Sequence, residues 1–176
     1  MLSPRDAWAA GWRSLQHRTL IEHWNGRRWR VVQLPDEGSD ASFGRIASVP
    51  GTDQLWATGT DGTHAVFAHH DGAAWTIVPS AMTDHRQTQI SDVVAMSETD
   101  VWAVGTAYVP AAPFDRSIDL VEHWDGSSWT ISQLPPDTGE GLGSVDGVPG
   151  ADQVWAIGSR WDIDAGLAHP TALRRC

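Results

Sequence analysis

Asp100-Val101-Trp102-Ala103-Val104-Gly105, followed by Leu120-Val121-Glu122-His123-Trp124-Asp125-Gly126-Ser127-Ser128-Trp129, is the stretch that decides the fold. The first run is short and apolar and stands behind the turn-forming Ser97-Glu98-Thr99-Asp100. Such a run suits a strand covered on both faces. Leu120 to Trp124 reads as a second strand. Asp125-Gly126 is a strong hairpin signal, and Trp129-Thr130-Ile131-Ser132 returns as a third. A weaker strand, Ile90 to Met96, precedes the set. Lettered A to D in chain order, the four strands make one antiparallel meander.

The same meander recurs on either side. Trp-Ala-x-Gly occurs at Trp8–Gly11, Trp56–Gly59, Trp102–Gly105 and Trp155–Gly158, with tryptophans 48, 46 and 53 residues apart. His-x-(Asn/Asp)-Gly-x-x-Trp occurs at His23–Trp29, His69–Trp75 and His123–Trp129, and the two units alternate. A four-stranded unit of this length with an aromatic and glycine signature is a β-propeller blade. The reading is therefore all-β: one partial propeller domain, 1–176, with repeats near 1–41, 42–86, 87–138 and 139–176. Trp8, Trp56, Trp102 and Trp155 are expected in the core. Trp29, Trp75 and Trp129, His23, His69 and His123, and Gly26, Gly72 and Gly126 are expected as structural repeat positions.

Strand A is missing before Trp8. At the other end, Leu167-Ala168-His169 begins a strand C, and Pro170-Thr171-Ala172 stands in place of the turn. The count is fourteen strands, about three and a half blades, whereas closed propellers have four to eight. An incomplete ring leaves open edges that invite association. The expected partners are a second copy or the remainder of a longer propeller. Two copies would supply 28 strands, the number in seven blades.

Composition narrows the function. The chain has 176 residues, 41% hydrophobic, with eleven tryptophans and a net charge of −10. All twelve basic residues are arginines, and they are scattered. A nucleic-acid binder needs a basic stripe for the phosphates, so neither nucleic acid nor an anionic membrane is expected as a partner. No apolar run approaches the ~20 residues of a membrane helix. Met1 to Trp8 has no basic segment leading into an apolar one, so no signal peptide is read there. The single cysteine, Cys176, permits no internal disulfide.

The Asp-Val-Trp-Ala-Val-Gly and Glu-His-Trp-Asp-Gly-Ser-Ser-Trp units resemble repeats of actinobacterial propeller proteins described as kelch-like or galactose-oxidase-like. The Asp-Gly-x-x-Trp turn is also similar to the Asp-box hairpin of sialidase-type propellers, where it is structural. The resemblance implies a propeller fold. Proteins of that kind are often exported. The copper chemistry of galactose oxidase does not carry over, because the chain has one tyrosine, Tyr108, and only Cys176 to crosslink. Fold alone does not confer activity.

No cofactor and no metal site are expected. His23, His69 and His123 fall one per blade, too far apart to share an ion. They read as hairpin histidines bonded to backbone. His69 and His70 with His64 and His85 form a looser cluster lacking a carboxylate or cysteine at ligand spacing. Glu22 and Glu122 match in the repeat, with Ala68 between them in the series, and read as structural rather than as a glycosidase pair. Asp92 and Asp146, on the inner strands, are the candidates if the chain is a glycoside hydrolase or lyase.

Loop lengths point to a binding face. The A–B and C–D turns are nearly constant, while the B–C connections (12–18, 60–63 and 106–117) and the D–A connections (34–44, 79–89 and 134–141) vary or are long. Insertions of this kind mark one face of a repeat protein. Trp12, Tyr108, Phe114 and Trp161 lie on or beside these loops and are the ligand-binding candidates. The expected function is a non-catalytic binding module for a protein or a glycan.

Overall fold

The computed structural model describes residues 3–13, 18–35, 41–82, 87–110, 116–135, 139, 141–151, 153–162 and 165–175. Fourteen strands follow in chain order: β1 Ala7–Arg13, β2 Arg18–Trp24, β3 Trp29–Val32, β4 Ser42–Ser48, β5 Leu55–Thr60, β6 Ala65–His70, β7 Trp75–Pro79, β8 Gln87–Ser97, β9 Asp100–Val109, β10 Arg116–Trp124, β11 Trp129–Ile131, β12 Leu142–Gly147, β13 Val154–Asp162 and β14 Leu167–Arg175. They form four antiparallel sheets, β1-β2-β3, β4-β5-β6-β7, β8-β9-β10-β11 and β12-β13-β14. These are propeller blades of three, four, four and three strands, and the ring is not closed.

The Trp-Ala-x-Gly unit is strand B of each blade, and its burial depends on its neighbours. In β5 and β9 five consecutive residues are buried, Leu55–Gly59 and Val101–Gly105. In β13 the same motif alternates: Val154 and Ala156 are buried, while Trp155 is 46% and Ile157 56% exposed. The core expectation thus holds for Trp56 and Trp102 and fails for Trp155. Blade four is covered on one face only, so half of its strand faces water. Trp8 is half-buried, and Trp29 is 46% exposed for the same reason at the other end.

The glycine of the motif has a steric cause. Strand A of blades two, three and four carries a register shift, between Phe43 and Arg45, Ile90 and Asp92, and Leu142 and Ser144. Each bulge presses strand A onto the glycine opposite. A Cβ on Gly59, Gly105 or Gly158 would collide with the carbonyl oxygen of Ser42, Gln89 or Gly141 and lie 2.7, 2.9 or 2.9 Å from the Cα of Phe43, Ile90 or Leu142. At Gly11, on β1, which among the described residues pairs only with β2, a Cβ would meet nothing within 4 Å.

Two boundaries differ from the sequence reading. Pro170 does not stand in a turn: β14 runs through it, opposite Ser159 on β13. Among the described residues β14 pairs only with β13, and an edge is where proline is tolerated. The B–C connection of blade three is also shorter than expected. Thr106 pairs with Asp119 and Tyr108 with Ser117, while Gln87 and Gln89 pair with Tyr108 and Thr106. The ladder continues into both presumed loops.

Candidate functional site

Blades one, two and three repeat a polar and aromatic triad around strands B and C. His23, His69 and His123 stack on Trp8, Trp56 and Trp102 at 4.3, 4.5 and 4.1 Å. Their Nε2 atoms lie 2.9 Å from Asp6 Oδ1, 3.0 Å from Gln54 Oε1 and 2.8 Å from Asp100 Oδ1. The partner is thus a side chain two residues before the tryptophan, not the backbone that the sequence reading assigned. Burial holds the His69 imidazole below its usual pKa, with Gln54 in the place where blades one and three have a carboxylate. In blade four Arg174 pairs with Trp155 across the sheet and lies 5.5 Å over its ring. A cation–π contact replaces the histidine stack there.

The C–D turn is built by an Asx residue and a left-handed glycine. Asn25, Asp71 and Asp125 accept the amides two and three residues on, at 2.8 to 3.2 Å. Gly26, Gly72 and Gly126 have φ of +85°, +97° and +98°, where a side chain is strained. The Ser127 hydroxyl and the two amides hold Asp125 down to about 2. His70 takes the place of Trp24 and Trp124, and its Nδ1 accepts the Gly72 amide at 3.2 Å.

Two of the carboxylates considered for catalysis, Glu122 and Asp92, serve blade contacts. Glu122 is fully buried on β10 and accepts from Ser80 Oγ at 2.7 Å and the Ala81 amide at 2.8 Å, both from blade two. Desolvation raises its pKa despite those two bonds. Its repeat counterpart Glu22 is half-buried on β2. Asp92 accepts from Ser144 Oγ at 2.8 Å and the Val145 amide at 3.1 Å, and Arg45 Nε lies 3.9 Å away. It therefore ties the inner strands of blades two, three and four. Asp146 is exposed and accepts the amide of Gly147.

Of the ligand-binding candidates, the structure places Tyr108 on β9, 36% exposed. Trp12 and Trp161 fall within β1 and β13 rather than in loops, and their side chains lie outside the described residues. Phe114 and His85 lie outside the described residues altogether. His64 Nδ1 is 3.6 Å from Asp61 Oδ2. No group of three or more potential metal ligands occurs among the described residues. The sequence reading missed a groove of about 390 Å³ between blades three and four, floored by Trp102 and Val121.

The chain is thus a partial β-propeller, and comparison with known proteins adds little beyond the fold. No protein-family model matches it, and no curated protein matches it. Among solved structures it is similar to one described as "YCF48 bound to D1 peptide", with 14% identity and a TM-score of 0.46 over 93% of this chain. The chain spans 62% of the length of that one.

Proposed function

We propose that the chain is a non-catalytic interaction module that takes a polypeptide on the face carrying the B–C and D–A connections. The observation that carries this reading is the raised end of blade three. Strands β8, β9 and β10 have 11, 10 and 9 residues, against 7, 6 and 6 in β4, β5 and β6. Tyr108 stands at that end between Gln87 and Ser117 with its ring partly exposed. Tyrosine is a favoured interface anchor because it offers a large rigid surface with a polar tip. The opposite face is closed by tight Asx turns. The engagement of Glu122 and Asp92 between blades further supports a binding role over a hydrolytic one. The likeness to kelch-like and galactose-oxidase-like repeats rests on the quoted motifs alone. It concerns the repeat and not the activity.

An exposed tyrosine also stacks on sugars, so a glycan is the alternative ligand. Peptide and glycan arrays probed with the folded chain separate the two. The expected result is peptide binding that Tyr108→Ser weakens about tenfold or more, as for loss of one anchor. Turnover of any arrayed glycan would refute the module reading, as would binding indifferent to Tyr108.

A further inference from the structure

Asn25 is the sole asparagine of the chain, and a glycine follows it. It opens the C–D turn of blade one, at the place that Asp71 and Asp125 hold in blades two and three. Asn25 is exposed, and its Oδ1 accepts the amides of Arg27 and Arg28 at 3.1 and 3.2 Å. The flanking strands fix the turn: Trp24 lies opposite Trp29, and the Asn25 amide donates to the Arg28 carbonyl at 3.4 Å. Two donors aimed at a carbonyl oxygen stabilise the oxyanion that forms when its carbon is attacked. The neighbouring nucleophile is the amide nitrogen of Gly26, a residue with no side chain to screen it. Arg27 and Arg28 put positive charge beside that nitrogen and favour its deprotonated form. Asp71 and Asp125 sit in the same cradle of amides with the opposite consequence. The Ala74 and Ala73 amides hold Asp71 below the usual carboxylate range, and the Ser127 hydroxyl with two amides holds Asp125 down to about 2. Both therefore stand ionised. A carboxylate repels a nucleophile, whereas a carboxamide carries no charge to protect it.

We propose that Asn25 is a self-modification site, at which the turn of blade one converts its carboxamide into the carboxylate that the other two turns already carry. Hydroxide takes the Gly26 amide proton. The nitrogen then attacks Asn25 Cγ and forms a C–N bond, with the negative charge developing on Oδ1 between the Arg27 and Arg28 amides. The Cγ–Nδ2 bond breaks, Nδ2 takes a proton from water, and ammonia leaves behind a five-membered succinimide. Water is the second reactant. Its attack on Cγ breaks the bond from Cγ to the Gly26 nitrogen and gives aspartate on an unaltered main chain. Its attack on the backbone carbonyl carbon instead breaks the peptide bond to Gly26 and gives isoaspartate, with one extra carbon in the main chain. The two amides activate Cγ in both steps, so the folded turn directs the product to aspartate. Water enters and ammonia leaves, with no change of oxidation state. The new carboxylate accepts the same two amides as a charged acceptor, which strengthens both bonds, and as an anion it resists a second cycle. The site lies on the face of the A–B and C–D turns and stands independently of the loop face.

Ageing the full chain, folded, in heavy-oxygen water at mildly alkaline pH, followed by tryptic digestion and mass spectrometry, tests this. Ring opening leaves one heavy oxygen in the product, so the label marks every turn that has cyclised. Label should be confined to the peptide Thr19–Arg27, with aspartate exceeding isoaspartate by about threefold or more on chromatography, as the amide cradle requires. In urea the unfolded chain loses that cradle, and isoaspartate should become the major product. Asn25→Gln would have to close a six-membered ring and should leave the peptide unlabelled, whereas persisting label there would place the chemistry elsewhere. Asn25→Asp should also stay unlabelled and should unfold at a higher urea concentration than the parent. The proposal is overturned if position 25 of the folded chain stays unlabelled for a time in which the unfolded chain has converted. Label at Asp71 or Asp125 at a comparable rate would overturn it too, as would one isomer ratio in both states.

Discussion

Gly105 and Gly11 hold the same place in the repeat, yet alanine should move stability in opposite directions at the two. At Gly105 the new methyl group meets the Gln89 carbonyl and lies 2.9 Å from the Ile90 Cα. Both are backbone atoms of a paired strand, so no side chain can swing aside. Overpacking costs roughly 1–3 kcal/mol, and a backbone obstacle puts this case near the top of that range. Relief of glycine's extra chain entropy returns about 0.5–1 kcal/mol. The net expectation for Gly105→Ala is a loss of about 2 kcal/mol or more. At Gly11 only the second term applies, so Gly11→Ala should gain about 0.5–1 kcal/mol. Urea unfolding followed by tryptophan fluorescence reads both. With a slope of about 2 kcal/mol/M, the midpoint should fall by about 1 M for Gly105→Ala and rise by a few tenths for Gly11→Ala. A Gly11→Ala variant as unstable as Gly105→Ala would mean that a strand lies against β1 in solution. A tolerated Gly105→Ala would refute the steric account of the motif.

Trp56→Ala removes a fully buried ring and should cost about 3–5 kcal/mol, whereas Trp155→Ala, at 46% exposure, should cost under about 1 kcal/mol. Equal shifts in denaturant midpoint would show the end blade to be covered. Glu122→Gln should be neutral or stabilising at pH 7. Burial raises the carboxyl above its ordinary 4.5, so the folded chain holds that proton more tightly than the unfolded chain does. Its contribution is greatest below 4.5 and fades as pH rises through the raised value. The midpoint of Glu122→Gln relative to the parent should therefore climb between pH 4 and 8, and a flat difference would contradict the assignment.

The strand count and blade order were legible because two motifs alternate and each maps onto one strand or one turn. Burial was not equally legible. Trp56 and Trp155 stand in the same four-residue motif, but one is sealed by the next blade and the other is not, and the motif is blind to its neighbour. The ends of β9 and β10 were misread because Thr106, Tyr108 and Ser117 suit a loop or a strand alike, and the pairing partner decides. The partners of His23, His69 and His123 lie in the A–B turn, 15 to 23 residues earlier. Each partner holds a constant place two residues before the motif tryptophan, but that spacing does not say which side chain it meets.

Glu122 also bears on how such a chain could be rebuilt from its parts. It is satisfied by Ser80, five residues after Trp75. The residue at that offset is Leu34 in blade one and Leu134 in blade three. Leu34 shares a buried cluster with Ala68, and Leu134 packs into the cluster that includes Leu173. Ala68, Glu122 and Leu173 are the same position on successive C strands, so each junction matches greasy with greasy or acid with donor. A tandem array of blade three alone would put Leu134 against Glu122 and strand a dehydrated carboxylate without its serine. The blades share one pattern, but these junctions fix their order, and they cannot be shuffled like beads.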